Sequence, residues 1–283
     1  MKQGKVRLDA LLVGRGLFPT RSRAQAAILA GAVFVDGKPA QKPGTLVSLD
    51  ARVEVQPHAS PYVSRGGLKL VRALQVFGID VRGKVAIDVG ASTGGFTDCL
   101  LQSGASRVYA VDVGYGLLDW RLRNDPRVVV LERTNARFLR PEQIGEPADL
   151  ITVDLSFISL TKVLPALVRL LKPGGEILPL VKPQFEVGPG KARKGVVRDP
   201  GAHREVLMNV CMCARDLGLA IKGITYSPLR GPEGNIEFFL YLVLGASEGI
   251  EDLPGAIWRA VEEAHAALSG GSRKAVERVQ GRV

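Results

Sequence analysis

Cysteine and histidine are scarce in this sequence. Three thiols, Cys99, Cys211 and Cys213, are scattered over 283 residues with His58, His203 and His265. An odd number of cysteines without zinc-type spacing excludes a disulfide framework, so the thiols read as reduced in a cytoplasmic protein and no metal ligand is assigned. Long apolar runs are missing as well. No stretch approaches the ~20 residues that cross a bilayer. Arg7, Asp9 and Arg15 interrupt the apolar residues at the N-terminus, which argues against a secretion signal and against stable membrane association. Negative charge is in deficit, with 38 Lys and Arg facing 28 Asp and Glu for a formal charge of +10. The imbalance is uneven, because residues 1–72 hold twelve basic side chains against four acidic ones. A basic end of this kind suits a polyanionic partner. The length accommodates one large domain with an ample core beside a small one.

The most informative stretch is 85–97, Val-Ala-Ile-Asp-Val-Gly-Ala-Ser-Thr-Gly-Gly-Phe-Thr. Its apolar start reads as a buried strand through Asp88, and Gly90, Gly94 and Gly95 read as a tight turn into a helix starting near Phe96. Glycines let backbone approach a ligand, while the N–H groups and positive end of a helix face it. A second carboxylate, Asp112, ends the next apolar run, roughly 20 residues after the turn, where an acidic side chain takes ribose hydroxyls. The spacing Asp-x-Gly-x-x-x-Gly-Gly departs from the dinucleotide pattern Gly-x-Gly-x-x-Gly. S-adenosyl-L-methionine fits better. It has no pyrophosphate, and its carboxylate suits the N–H groups of Gly94 to Phe96. An anion at a helix start gains only about 0.3–1 kcal/mol, so shape and the ribose carboxylate must supply most of the selectivity.

Residues 5–56 read as a separate unit. Leu8, Leu11 and Leu12 recur at helical spacing, Arg21 opens a second helix through Ile28, and Gly31 ends it. Val33 to Lys38 reads as a strand and turn, and Arg52 to Val55 as a closing strand. The segments Arg7-Leu-Asp9, Ser22-Arg-Ala-Gln-Ala26, Gly31-Ala-Val-Phe-Val-Asp-Gly37 and Lys42-Pro43 resemble the S-four RNA-binding fold. That resemblance implies that Arg7, Arg21, Arg23 and Lys42 line an RNA surface and contact phosphates without reading bases. A short linker, 58–63, leads to an amphipathic helix from Leu68 to Phe77 that carries Lys69.

Strands and helices then alternate. Arg127 to Glu132 and Asp149 to Asp154 read as strands. The apolar residues after Ser156-Phe-Ile-Ser159 read as a helix to Leu171 stopped by Pro173-Gly-Gly175, and Glu176 to Val181 as a fifth strand. Residues 203–217 read as a helix, and Ile221 to Tyr226 and Ile236 to Leu244 as final strands. This alternation predicts a mostly parallel sheet covered by helices, with ligands beyond the carboxyl ends of its strands. Asp88, Asp112, Asp154 and Lys182 fall at such ends and are expected in one crevice.

Six ordered motifs extend the resemblance over nearly the whole chain. They are Ser64-Arg-Gly-Gly-Leu-Lys69, Asp88-Val-Gly-Ala-Ser-Thr-Gly-Gly-Phe-Thr97, Asp112-Val-Gly-Tyr-Gly116, Asp154-Leu-Ser-Phe-Ile-Ser159, Lys182-Pro-Gln-Phe-Glu186 and Gly234-Asn-Ile-Glu237. Together they resemble the TlyA family, in which an S-four domain precedes an FtsJ-type methyltransferase. The resemblance implies an α/β fold: a Rossmann-like class I methyltransferase domain over 64–268 and a small α+β RNA-binding domain over 1–57. It implies S-adenosylmethionine-dependent 2′-O-methylation of cytidine riboses in ribosomal RNA, free or in ribosomal subunits, with a catalytic set Lys69, Asp154, Lys182 and Glu237. The implied cofactor residues are Asp88, Gly90, Ala91, Ser92, Gly94, Gly95, Phe96, Thr97, Asp112, Asn135 and Asp154. Arg65 and the basic loop Lys191, Arg193, Lys194 and Arg198 are expected to meet the RNA backbone. The basic tail 269–283 has no assigned role, and no oligomeric state follows from the sequence. Some members carry a haemolysin label, but the missing membrane span, signal and long basic amphipathic helix disfavour that activity. An RNA-binding protein with an inactive methyltransferase domain is disfavoured by the intact set of four.

Overall fold

The computed structural model describes residues 4–40, 42–56, 61–188, 195–231 and 233–268. The N-terminal module runs β1 (Lys5–Arg7), α1 (Leu8–Gly14), α2 (Arg21–Ala30), β2 (Val33–Val35), β3 (Lys38–Pro39), β4 (Leu46–Ser48) and β5 (Val53–Val55). Thr20 caps α2 by accepting the Arg23 N–H, and Gly31 ends it in the left-handed conformation at φ 81°. Leu8, Leu12, Ala24, Ile28 and Val33 are fully or almost fully buried in its small core. β3, β2 and β5 pair as one sheet while β1 pairs with β4. β1 and β4 are short strands, Lys5–Arg7 and Leu46–Ser48, that the sequence does not announce.

The large domain begins with α3 (Gly66–Phe77), β6 (Val85–Val89), α4 (Gly95–Gln102), β7 (Arg107–Val111), α5 (Trp120–Arg123) and β8 (Val128–Leu131). It continues through α6 (Pro141–Ile144), β9 (Ala148–Val153), α7 (Leu164–Val168), β10 (Leu171–Val181), α8 (Pro183–Glu186) and α9 (Pro200–Asp216). It closes with β11 (Leu219–Tyr226), β12 (Phe238–Leu244) and α10 (Leu253–Leu268). The seven strands stand in the order β11-β12-β10-β9-β6-β7-β8. β8 through β10 are parallel, and β12 runs antiparallel to both its neighbours. One face packs on Leu70, Leu74, Cys99 and Leu100 of α3 and α4, the other on Leu164, Leu167, Val206, Val210 and Ile257 of α7, α9 and α10. Covering on both faces explains why Ala86, Ile87, Ile151 and Val153 read as continuous apolar runs. The chain moves outward one way through β7 and β8 and the other way through β9 and β10. A crevice therefore opens between β6 and β9 at the carboxyl edge, where such sheets bind ligands.

One expectation needs correction. The helix predicted to reach Leu171 ends at Val168, and Pro173-Gly174-Gly175 does not stop a helix but interrupts β10. Leu171 pairs with Ala148, pairing resumes at Glu176 with Leu150, and Gly174 at φ 75° allows the bulge between them.

Candidate active site

Four side chains distant in sequence meet at the carboxyl edge of the sheet. Lys69 lies in the first turns of α3. Asp154 follows β9, Lys182 follows β10, and Glu237 immediately precedes β12. Reversal of β12 places its beginning beside the end of β10, with Phe238 opposite Val181. Lys69 Nζ donates to Glu237 Oε2 at 2.7 Å. Lys182 Nζ stands 2.6 Å from Asp154 Oδ1 and donates to Ser156 Oγ at 3.1 Å. The Lys182–Asp154 contact is a close ion pair, and Glu237 Oε1, on the side of its carboxylate away from Lys69, is buried without a hydrogen-bond partner among the described residues.

Charges of opposite sign hold one another in place. Burial disfavours the Lys69 ammonium, but Glu237 and Asp154 outweigh it and raise its pKa above the ordinary lysine value. Burial also favours the neutral form of Asp154, yet Lys182 and Lys69 outweigh that and hold its pKa below the usual carboxylate range. Lys69 and Asp154 therefore keep their charges. Each is compensated, which spares the fold an unpaired buried ion.

The two pairs open onto a cleft of about 230 Å³ whose lining includes Lys69, Asp154, Ser156 and Lys182. Its far side is the glycine turn, where Gly90, Ala91, Ser92, Thr93, Gly95 and Phe96 contribute. Gly90 has φ 87°, and a Cβ there would stand 2.5 Å from the Asp154 carbonyl oxygen, so a side chain is excluded by conformation and space alike. Gly95 touches the preceding segment so closely that its Cβ would meet Ser64 Oγ at 2.2 Å.

Asp112 bridges the walls of two adjoining cavities. Its Oδ2 accepts the Ser92 N–H at 2.8 Å and its Oδ1 the Gly114 N–H at 2.6 Å. One cavity adds Leu117, Leu118, Val130 and Glu132, the other Asn135, Ala136, Leu155 and Ile158. A carboxylate and an amide set among apolar walls, continuous through Ser92 and Gly90 with the lysine cleft, fit an adenosine with a charged methionine tail.

Some predicted cofactor residues lie elsewhere. Asp88 and Thr97 are fully buried and line none of the described cavities. Thr97 Oγ1 donates to Asp88 Oδ2 at 2.7 Å and Thr152 Oγ1 to Oδ1 at 3.2 Å, so this carboxyl braces β6 against α4 and β9 from below. Burial, its largest influence, pushes the Asp88 pKa up to about 7. Gly94 is also set back, and its N–H is spent on the Ala91 carbonyl at 2.7 Å instead of facing a ligand.

In the N-terminal module, Arg7 donates to Asp9 through Nε and Nη2 at 3.1 and 2.9 Å, and Arg21 through Nη2 at 3.1 Å. Asp9 is fully buried, and its hydrogen bonds from Arg7 hold its carboxyl well below the usual range. The two arginines remain about half exposed on a fixed anchor. Arg23 and Arg198 are exposed. Lys42 forms an ion pair with Glu233 of the large domain, a partner the sequence did not reveal. Arg65 lines the cleft beside Lys69. Lys191, Arg193 and Lys194 lie outside the described residues, as does the tail 269–283.

Sequence reasoning quoted Ser64 and Ser156 inside motifs but gave them no contact, and it missed Glu132 and Arg230 at the cavities. The motif Ser156-Phe-Ile-Ser159, which leads into the apolar helix, gives Phe157 no orientation of its own. Phe157 stands 90% exposed at φ 65°, its ring 5.0 Å from that of Phe185. Only the left-handed backbone, illegible in a phenylalanine codeword, turns it outward.

The strand order, the reversed β12 and the cleft beside the glycine turn define an S-adenosylmethionine-dependent methyltransferase of class I architecture. A family model described as FtsJ-like methyltransferase matches residues 62–244, and one described as S4 domain matches residues 6–53. The chain is 51% identical over 266 residues to the 16S/23S rRNA (cytidine-2′-O)-methyltransferase TlyA of Mycobacterium tuberculosis, covering 92% of this chain and 98% of that one. It is 41% identical to Hemolysin A of Brachyspira hyodysenteriae, across 84% of this chain and all of the other. A solved structure of a hemolysin-named protein from Streptococcus thermophilus, 41% identical, superposes with a TM-score of 0.74 over 94% of this chain and 98% of that one. The chain belongs to the TlyA family of FtsJ-like methyltransferases. Among the described residues no helix is long and apolar enough to cross a membrane.

Proposed function

We propose that this protein methylates the 2′-hydroxyl of a cytidine ribose in ribosomal RNA, acting in the cytoplasm. The observation that carries the proposal is that Lys69, Lys182 and Asp154 line one cleft beside the glycine turn, with Glu237 buried behind Lys69. S-adenosylmethionine supplies a methyl already activated by its sulfonium. The chain then has to align a hydroxyl with that methyl and manage one proton. Alignment contributes up to about 7–11 kcal/mol in favourable systems, against about 10²–10⁴-fold for a positioned acid or base.

In this reading Asp112 and Asn135 hold the adenosine, and Gly90 to Thr93 with Gly95 and Phe96 receive the methionine portion, with Asp88 and Thr97 bracing that turn from beneath. Asp154 orients Lys182, and Glu237 orients Lys69. Lys182 holds the attacking oxygen. The new C–O bond forms as the S–C bond breaks with its electron pair passing to sulfur. The O–H proton passes to Lys182 acting as an amine or, where Lys182 only stabilises the developing alkoxide, to solvent. Lys69 keeps its proton, because its pKa lies above the ordinary value, so its part is electrostatic. Residues 1–57, joined through 58–63 to the catalytic domain 64–268, act as the RNA-binding module, with Arg7, Arg21 and Arg23 on phosphates. Lys42, more than half exposed beside Glu233, extends the basic path together with Arg65 and Arg198.

Labelled-methyl transfer to purified ribosomal subunits, followed by mapping of 2′-O-methylated riboses, tests the proposal. A labelled cytidine ribose that disappears with Lys182→Ala is expected. Calorimetric binding of S-adenosylmethionine without transfer to any ribosomal RNA would overturn it. Leakage of detergent-free liposomes caused by the pure protein would favour the haemolysin alternative instead.

A further inference from the structure

The cleft that holds the two lysines is not built by the catalytic domain alone. Ile28, Leu29 and Gly31 at the end of α2, with Pro39 and Ala40 just beyond the β2–β3 turn, line the same space as Lys69 and Lys182. Two contacts fix this junction. Lys42 pairs with Glu233, and the Arg65 side chain runs under Gly31, where a Cβ would sit 3.3 Å from Arg65 Cδ. Ile28 is consumed by the module's own core at 1% exposure, whereas Leu29 beside it is 42% exposed. The module therefore presents an apolar surface to a cleft whose other wall is ionic.

Such a surface suits a substrate with one apolar face and one hydroxyl. The lysine pair suits the hydroxyl and the exposed Arg65 suits phosphate, which leaves the wall for the flat face of a base. Arg230 is held by the Gly234 and Leu268 carbonyls. We propose that Leu29, Pro39 and Ala40 form the surface against which the base of the target nucleotide rests. The N-terminal module then completes the catalytic cleft in addition to tethering the RNA. This inference rests on the ribose-methylating function proposed above and adds a specificity-determining wall to it.

The test uses the full-length protein. Leu29→Ser, Leu29→Met and Ala40→Leu are compared with the wild type in labelled-methyl transfer to ribosomal subunits, with S-adenosylmethionine affinity by calorimetry and RNA affinity against salt. Leu29→Ser is expected to lower kcat/KM by roughly tenfold or more, the scale on which a pocket registers a lost apolar group. Affinity for S-adenosylmethionine and the salt slope are expected to stay unchanged. Leu29→Met, which keeps an apolar surface, is expected to lose less. Ala40→Leu, which adds bulk at the same wall, is expected to slow transfer with the thermal transition intact. Wild-type kcat/KM in both Leu29→Ser and Ala40→Leu would overturn the inference while leaving the functional proposal standing. A parallel loss of S-adenosylmethionine affinity would also overturn it, because the wall would then hold the donor. Absence of transfer by the wild type to any ribosomal RNA would overturn the functional proposal and this inference with it.

Discussion

Lys69 and Glu237 meet at 2.7 Å across 168 residues of chain, the lysine side chain 12% exposed and the carboxylate wholly enclosed. Removing one partner leaves the other as a buried uncompensated ion, at a cost of about 3–5 kcal/mol. Glu237→Ala is therefore expected to lower both urea stability and methyl transfer. The double variant Lys69→Met/Glu237→Leu restores much of the stability and none of the activity. Recovery of transfer in the double variant would remove this pair from the chemistry.

Lys182 has a separate signature. With Asp154 and Ser156 as its only described polar contacts, Lys182→Ala leaves the adenosine cavities untouched. Transfer is expected to fall by about 10²-fold or more with calorimetric affinity for S-adenosylmethionine nearly intact. Wild-type turnover in this variant would remove Lys182 from the mechanism.

Two buried groups give opposite dependences of stability on pH. Asp88 has a folded pKa of about 7, above the unfolded value of 3.8, so its contribution is full below pH 3.8 and is lost as pH rises to 7. His203 is held by His265 and the Val197 carbonyl at 3.0 and 3.2 Å, and burial lowers its pKa from 6.5 to about 4. Its contribution is full above pH 6.5 and is lost as pH falls to 4. Between pH 4 and 6.5 the two slopes oppose, each about 1.4 kcal/mol per pH unit at most. Thermal unfolding of Asp88→Asn is expected to show stability rising with pH through this window, and His203→Phe to show it falling. Parallel curves for wild type and both variants would contradict the assignment.

Arg7 and Arg21 share the buried Asp9 and point their remaining N–H groups outward. If both grip phosphates, Arg7→Gln and Arg21→Gln each reduce the slope of log affinity for ribosomal RNA against log salt by roughly 0.7–0.9. Asp9→Asn, which unties both arginines, weakens RNA binding while keeping their charge. An unchanged slope in the two glutamine variants would place the RNA elsewhere.

The strands and the glycine turn were legible because parallel strands buried on both faces write themselves as apolar runs, and because Gly90 and Gly95 stand where no Cβ fits. The meeting of Lys69, Asp154, Lys182 and Glu237 was legible through motif resemblance and strand ends together. Other features were not. Pro173-Gly-Gly175 looks like a helix stop, and only pairing of Leu171 with Ala148 shows a bulged strand. Asp88 sits in a motif with true cavity residues, yet one step of strand alternation turns it inward to Thr97 and Thr152. The Lys42–Glu233 pair and the wall around Leu29 depend on how two units dock, which no local pattern encodes.

The reversed β12 also sets a timetable. Glu237 reaches Lys69 from the strand's beginning, although translation arrives there only after Lys69, Asp154 and Lys182 have all been made. A chain that stops before this residue holds Lys69 without its hydrogen-bonded counter-ion, and it lacks β12, the strand that joins β11 to the sheet. Such fragments have no route to a finished catalyst, so competence waits for this strand.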